Sequence, residues 1–215
     1  HIDAVTRIPP AYRHPVLPAP KSCKIELTAT CNYRCSFCMK SQRPDSGEMD
    51  RKLYSRLIRE MREAGVDELG VFFIGESFTC KWLPDAIREA KEIGYPYVFL
   101  TTNGSLAHPE KVEACMAAGL DSLKFSVNFA DDEQFAGVTQ VKPSLYRRAL
   151  SNIRAARELR DDGGYKCGIY ASSIAFDGEQ GAKMAAIMAE VEPYCDEVYQ
   201  LPLFSMGGAA EASGM

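Results

Sequence analysis

The stretch CNYRCSFC, residues 31–38, places three cysteines within eight positions, two residues after the alternating apolar and polar run Ile25-Glu-Leu-Thr28. Their spacing is C-x3-C-x2-C, and no second closely spaced pair of cysteines follows later in the chain. A structural zinc site is closed by four ligands, usually in two separated pairs, and a ferredoxin cluster also takes four thiolates. Three thiols therefore indicate a metal centre with an open position, at which a cofactor or a substrate can bind directly.

A structural zinc site remains an alternative if a fourth ligand comes from far away. The nearest candidates are Cys23, which precedes the predicted strand and should lie at its opposite end, and His14. For three thiols to face one centre, the backbone between them has to curl. Asn32 is a residue that tolerates the unusual backbone angles that such a curl requires.

The composition is ordinary for a soluble globular protein. With 215 residues, 46% of them apolar and 25% charged, the chain can bury a core without disulfides. Its net charge of −4 argues against a broad surface for nucleic acid. We expect no membrane span and no signal segment, because no apolar run has the necessary length or position. Eight cysteines in this setting predict reduced thiols and a cytoplasmic protein.

The organisation predicted from the sequence has three parts. Five prolines within the first twenty residues predict an extended arm over 1–22, since proline fits neither a helix interior nor a central strand. A core domain follows over 23–206, and a tail of small residues over 207–215. Because the chain begins at His1 without a methionine and ends in this tail, we expect a piece of a longer protein, trimmed at both ends.

Short β-rich runs alternate with stretches of helical periodicity along the core domain. This alternation predicts an α/β fold with a parallel sheet, either a partial barrel of six βα units or a doubly wound sheet. On the first helix, Leu53, Leu57, Ile58 and Met61 should share the buried face. The predicted strands are 24–29, 69–74, 97–101, 122–127, 166–176 and 197–204, and the predicted helices are 51–64, 83–93, 109–118, 144–160 and 179–192.

Small and polar residues follow the predicted strands, at the edge where parallel α/β folds bind their ligands. Each cluster also has a simpler explanation: Asn103-Gly104 is a common turn dipeptide, Gly75 a small residue leaving a strand, and Ser173 an ordinary polar position. Their occurrence at one common edge favours a binding site. Besides the cysteine stretch, the clusters are Gly75-Glu-Ser77, Thr101-Thr-Asn-Gly104, Ser126-Val-Asn128, Ser172-Ser173 and Leu201-Pro-Leu-Phe204.

At these residues the chain resembles the radical S-adenosylmethionine (radical SAM) enzymes. CNYRCSFC matches the family pattern C-x3-C-x-aromatic-C with Phe37 as the aromatic residue, and the resemblance runs from about Lys24 to Phe204. It implies a partial (β/α)6 barrel in which Cys31, Cys35 and Cys38 ligate a [4Fe-4S] cluster whose open iron is chelated by SAM. Reductive cleavage of SAM would then give a 5′-deoxyadenosyl radical that abstracts hydrogen from the substrate.

The resemblance also implies a set of SAM contacts. Gly75, Glu76 and Ser77 stand where the family has Gly-Gly-Glu-Pro, and this chain departs from that pattern at Ile74 and Ser77. The carboxylate of Glu76 would accept N–H bonds from the SAM amino group. The other implied cofactor contacts are Phe37 and Leu201 at the adenine, Thr102 and Asn103 at the ribose, Ser126 and Asn128 at the ribose or the methionine carboxylate, and Ser173.

For partners, the resemblance implies a peptide or small-molecule substrate and an electron donor such as flavodoxin or ferredoxin, with no nucleic acid and no membrane. It also implies a C-terminal extension after the tail, which carries auxiliary iron–sulfur clusters in one subgroup of the family. Two other functions stay open. One is a glycyl-radical enzyme activase, and the other is a zinc-stabilised interaction domain that is not an enzyme.

Overall fold

The sheet is the element that positions every candidate residue. The computed structural model describes Pro10, Arg13, Pro15 and the ranges 17–41 and 46–204. Most of the predicted arm over 1–22 and all of the predicted tail over 207–215 lie outside these residues. Six parallel strands pair in sequence order: β1 (Ser22–Lys24), β2 (Glu68–Gly70), β3 (Tyr97–Thr102), β4 (Ser122–Ser126), β5 (Gly168–Ile174) and β6 (Glu197–Leu201).

The strand order separates the two predicted architectures. A doubly wound sheet reverses its strand order at a switch point, whereas here the order runs from β1 to β6 without reversal. Crossovers of one hand then place the helices on one face, as in a barrel. Because β1 and β6 remain the two edges of the sheet, the barrel is partial, and this prediction is confirmed.

Helices connect the strands close to their predicted positions. One helix was missed by the periodicity, at residues 132–139, because only eight residues and few apolar positions mark it. Its start is nonetheless signalled by Asp131, whose side chain accepts a hydrogen bond from the Gln134 N–H at 2.7 Å. The α-helices of the described residues are α1 (Arg51–Ala64), α2 (Leu83–Ile93), α3 (Pro109–Ala117), α4 (Asp132–Thr139), α5 (Ser144–Gly163) and α6 (Gly178–Val191).

Helix α1 shows how local sequence sets an element. Asp50 caps its N-terminus by accepting from the Leu53 N–H, and Gly65 ends it in the left-handed region at φ 104°. The buried face carries Tyr54 and Ile58, and the Tyr54 hydroxyl donates to the Ala86 carbonyl on α2. The predicted face was one position too wide, since the Leu53 side chain is exposed.

The first two strands are shorter than predicted. Regular pairing of β1 ends at Lys24, because the following segment turns to a different partner: Leu27 and Ala29 form backbone hydrogen bonds with Met49 and Gly47. β2 ends at Gly70 instead of residue 74, and the chain then leaves the sheet towards the cysteine stretch. Both departures bring loops of β1 and β2 against each other.

Residues alternate between the two faces of the sheet along each strand. Val98, Leu100, Leu123 and Ile169 face the helices, and each is fully buried in the hydrophobic core. Their neighbours along the strands, such as Lys124, face the concave side and are only partly buried. No helix in the described part of the chain has both the length and the apolar character needed to cross a membrane.

Two aspartates fasten the amino-terminal ends of neighbouring strands. Asp121 accepts from the Val98 N–H at 2.7 Å, and Asp196 accepts from the Ile169 N–H at 2.7 Å. Both carboxylate oxygens of Asp196 also accept from the Arg160 guanidinium, Oδ2 at 2.6 Å and Oδ1 at 2.8 Å. Burial by itself raises the pKa of Asp196, but the bonds from Arg160 and Ile169 outweigh it and hold the pKa below its usual value.

We expect Asp196→Asn to lower the free energy of unfolding by about 1–2 kcal/mol at neutral pH, because a charged hydrogen-bond acceptor is lost from a partly exposed site. Since the folded-state pKa is depressed, the contribution of Asp196 is fully present above the unfolded pKa of about 3.9. It disappears as the pH falls through the lower folded-state value. Urea unfolding of the wild type and the variant at a series of pH values measures both effects.

The matched control is Asp162→Asn, an exposed position on α5. It should leave stability within about 0.5 kcal/mol of the wild type. An equal loss in both variants, or a loss at Asp196 that does not shrink in acid, would contradict the assignment.

Candidate active site

The three cysteines lie on a loop that is held from the side by the missed helix. The Arg34 N–H donates to the Thr139 carbonyl and the Ser36 N–H to the Val138 carbonyl, both at 3.0 Å. The Cys38 N–H donates to the Cys35 carbonyl and closes a turn between these two thiols. Thus α4 fixes the curl that brings the thiols to a common side.

An aromatic cluster packs behind the loop. It consists of Tyr33, Phe129, Phe135 and Tyr146, all buried, and Cys31, Cys35 and Phe37 pack against it. Phe135 is the centre, since it meets Tyr33 and Phe129 edge to face at centroid distances of 5.2 Å each. The aromatic cluster therefore keeps water away from the rear of the thiols.

The three thiols line one cavity of about 180 Å³. Burial raises the pKa of the Cys31 thiol to about 11 and raises that of Cys35 as well. These thiols become thiolates only beside a cation, which is the condition that an iron centre supplies. Backbone N–H groups already face the sulfurs, from Tyr33 to Cys31 at 3.5 Å and from Lys40 to Cys38 at 3.4 Å.

Glu76 lines the same cavity and joins the loops that follow β2 and β3. Its carboxylate is 2% exposed and accepts from the Thr102 hydroxyl at 2.8 Å, the Asn103 N–H at 2.8 Å and the Phe78 N–H at 3.1 Å. Burial raises its pKa, although these hydrogen bonds oppose the shift. The side chain thus fixes the end of β3, a role that the sequence did not indicate.

Asn103 extends this network to the cysteine loop. Its side-chain amide donates to the Asn32 side-chain oxygen (Oδ1) at 2.8 Å and lies 4.0 Å from the Cys31 sulfur. Asn32 in turn donates to the Ser105 hydroxyl at 2.8 Å. The prediction that Asn32 serves through unusual backbone angles is wrong, since Gln140 is the one described non-glycine residue with a positive φ.

Gly75 allows the loops after β1 and β2 to touch. A Cβ atom on Gly75 would lie 2.0 Å from the Thr28 carbonyl oxygen, which is backbone and cannot move aside cheaply. Glu26 accepts from the Ile74 and Gly75 N–H groups, each at 2.8 Å, so these two amides are occupied. The carbonyl oxygens of Ile74 and Gly75 accept no hydrogen bond from a described residue and remain available to a ligand donor.

The cavity brings together nearly all of the predicted site residues. Ser173 and Leu201 line an adjoining cavity of about 290 Å³, which shares three residues with the first, and the buried Ser173 hydroxyl has no partner among the described residues. Ser77 lines neither cavity, and its hydroxyl donates to the Val71 carbonyl. The predicted residues around the first cavity are Cys31, Cys35, Cys38, Phe37, Gly75, Glu76, Thr102, Asn103, Ser126 and Asn128, and the three shared with the second are Phe37, Ser126 and Asn128.

Sequence reasoning missed the residues that hold this site from behind. Glu26, Phe135 and the Asn32 side chain act through partners that are distant in the chain, so no local spacing reveals them. Glu26 lies in the alternating run before the cysteines, and this position was the one sequence feature that could have indicated its role at the site. The other five cysteines lie apart from the site, with Cys80, Cys115 and Cys167 buried and Cys23 and Cys195 partly buried.

Comparison with known proteins identifies the family. A sequence model of the Radical SAM superfamily matches residues 25–191, which is most of the chain. The chain belongs to the radical SAM superfamily. Membership indicates an enzyme and implies a [4Fe-4S] cluster and SAM as cofactors. The residues fit that cluster, because three thiols line one cavity and backbone N–H groups point at two of their sulfurs, those of Cys31 and Cys38.

Two curated relatives of this radical SAM chain have names that refer to reactions of nucleotides. GTP 3′,8-cyclase of Chlorobaculum tepidum is 33% identical over 119 residues, 54% of this chain and 36% of that protein. An S-adenosylmethionine-dependent nucleotide dehydratase of Lacinutrix mariniflava is 29% identical over 137 residues, 61% of this chain and 26% of that protein. The chain spans less than half the length of either relative.

A solved structure shares the radical SAM fold. SuiB of Streptococcus suis, bound to S-adenosylmethionine, matches with a TM-score of 0.70 at 20% identity, over 92% of this chain and 44% of that chain. Identity at this level shows the fold alone. Among the described residues, no three or more His, Cys, Asp or Glu side chains are placed to hold a single metal ion.

We expect Gly75→Ala to lower the free energy of unfolding by about 1–3 kcal/mol, because the new methyl group overlaps the Thr28 carbonyl oxygen. The control is Gly137→Ala in α4, where a Cβ meets nothing within 4 Å. There the loss of glycine should stabilise the helix by about 0.5–1 kcal/mol. Chemical denaturation of the two variants checks the opposite signs, and a shared sign would contradict the close approach.

Proposed function

We propose that the chain is the catalytic core of a radical SAM enzyme that cleaves SAM reductively and abstracts hydrogen from a peptide or small-molecule substrate. When bound, the cluster supplies one electron that breaks a carbon–sulfur bond of SAM, giving methionine and a 5′-deoxyadenosyl radical. The observation that carries the proposal is that the three thiols line one cavity together with Glu76 and Asn103, which a hydrogen bond joins.

Different residues of the site bind different parts of SAM. The carbonyl oxygens of Ile74 and Gly75, which accept no hydrogen bond from a described residue, accept from its amino group, a role that the family resemblance implied for the Glu76 carboxylate. That carboxylate instead holds the backbone of Asn103 in place. Phe37 lies between the two cavities and supplies an apolar surface for the adenine ring.

The polar contacts to the rest of SAM come from the carboxyl ends of β4 and β5. Ser126 and Asn128 line both cavities, and Ser173 offers its unpartnered hydroxyl to the ribose or the methionine carboxylate. Leu201 closes the second cavity with an apolar side chain. The aromatic cluster behind the cysteines excludes water, which would otherwise quench a reactive intermediate.

The remaining parts of the proposal concern the whole protein. Residues 23–206 form the core domain, and a C-terminal extension follows the tail. An electron donor such as flavodoxin or ferredoxin reduces the cluster in the cytosol. Similarity to a GTP cyclase and a nucleotide dehydratase favours a small molecule over a peptide as the substrate.

We expect anaerobic reconstitution with iron and sulfide to give a brown protein that forms 5′-deoxyadenosine from SAM under dithionite. The triple variant Cys31→Ala, Cys35→Ala, Cys38→Ala should lose colour and cleavage and still unfold cooperatively, because the thiols lie on a loop outside the sheet. Iron analysis and chromatography of the nucleoside product measure both.

The control for this experiment is Cys195→Ala, a partly buried cysteine apart from the site, which should keep iron and cleavage. A colourless protein with one tightly bound zinc would contradict the proposal and support the interaction domain. A cluster in which four protein ligands bind the four irons would contradict it as well.

We expect Ser173→Ala to weaken SAM binding to the reconstituted protein about fivefold, the effect of one lost neutral hydrogen bond. The free energy of unfolding without SAM should stay the same or rise, because the wild type buries this hydroxyl without a partner. Equilibrium binding titration and denaturation separate the two effects. Ser151→Ala on the exposed side of α5 is the control, and equal affinity in all three proteins would remove Ser173 from the SAM site.

A further inference from the structure

A third cavity, which we call the lower chamber, lies on the concave side of the sheet. It has a volume of about 330 Å³ and is lined by residues from five of the six strands and from the loop after β2. Five aromatic side chains form much of its wall: Phe72, Tyr97, Phe99, Tyr170 and Tyr199. Both edge strands contribute, β1 through Lys24 and β6 through Tyr199, so the chamber spans the open side of the barrel.

Two lysines face the lower chamber. The Lys24 ammonium lies 5.1 Å from the centre of the Phe72 ring, and the Lys124 ammonium lies 5.9 Å from that of Tyr199. Neither makes an ion pair with a described residue, although Glu197 lines the same chamber. Burial lowers the pKa of Lys124, and the charge of Lys24 lowers it further. Two like charges thus share one partly enclosed space in a chain of net charge −4.

The lower chamber adjoins the candidate SAM site. It shares Phe72 and Thr101 with the cavity of the cysteines, and it shares Lys124 with the cavity of Ser173. On β4, Lys124 and Ser126 point to the same side of the sheet, about 7 Å apart at the usual rise per residue. A molecule held at Lys124 therefore reaches the cofactor residues within the length of a small metabolite.

The chemistry of the walls selects a ligand. An anion between the two ammonium groups relieves their repulsion and forms charge-assisted hydrogen bonds, which are stronger than neutral ones. The aromatic wall accepts a flat apolar portion beside that anion. A neutral ligand would leave both charges unpaired.

We propose that the lower chamber binds the substrate, a small organic anion whose phosphate or carboxylate group lies between Lys24 and Lys124 and whose flat portion packs on the aromatic wall. This inference rests on the proposed function for the identity of the ligand as substrate. It goes beyond that function in naming the substrate class and the two residues that recognise it.

The test measures binding of simple probes by calorimetry, without SAM cleavage. Phenyl phosphate and benzoate represent the two anions, and benzyl alcohol is the uncharged counterpart. Lys24→Gln and Lys124→Gln keep most of the side-chain length and remove the charge, and Lys166→Gln at an exposed position is the control. We expect at least one anion to bind the wild type and the control equally, with about tenfold weaker binding to each single variant.

Several outcomes would overturn the proposal: no binding of either anion to the wild type, equal binding to the double variant, or benzyl alcohol binding as tightly as the anions. Should the variants fail to fold, raising the salt concentration with the wild type replaces them, and anion affinity must then fall. The two anions also distinguish a phosphate from a carboxylate site. If the reconstituted wild type bound the anion but did not cleave SAM, the proposed function would be refuted, while the assignment of an anion site to the lower chamber would stand.

Discussion

The candidate site depends on one buried carboxylate. Glu76 accepts hydrogen bonds from Thr102, Asn103 and Phe78, and through Asn103 it sets the position of a side-chain amide that lies 4.0 Å from the Cys31 sulfur. Burying a charge with fewer partners would be costly, so the loops after β2 and β3 can close only in the arrangement that supplies all of these donors. The geometry of the thiols is therefore linked to the ends of β2 and β3.

A close backbone contact between Gly75 and Thr28 also holds the loops of the site together. The Gly75 position leaves no room for a side chain beside Thr28. The Glu26 carboxylate accepts hydrogen bonds from the backbone N–H groups of Ile74 and Gly75. This contact turns the Ile74 and Gly75 carbonyls into free acceptors at the cavity. Of the Gly-Gly-Glu-Pro pattern, this chain keeps Gly75 and Glu76 and departs at Ile74 and Ser77.

The two ends of the sheet have separate tasks. At the amino-terminal end, Asp121 and Asp196 fasten neighbouring strands through backbone amides and nearby cations. At the carboxyl end, the loops are free to carry thiols and polar groups, because the strand pairing does not need them. The concave face joins the two, and there Lys24 and Lys124 place positive charge inside an acidic protein.

The sequence by itself determined the family, the order of strands and helices, and the three thiols, because these depend on local spacing and periodicity. It also located nearly all residues around the cavity, since parallel strands bring their carboxyl ends to one edge. Only the tertiary structure decided that Glu76 supports Asn103, that Asn32 acts through its side chain, and that α4 and Phe135 hold the cysteine loop. These roles arise from hydrogen bonds and packing between residues far apart in the chain, which no local pattern encodes.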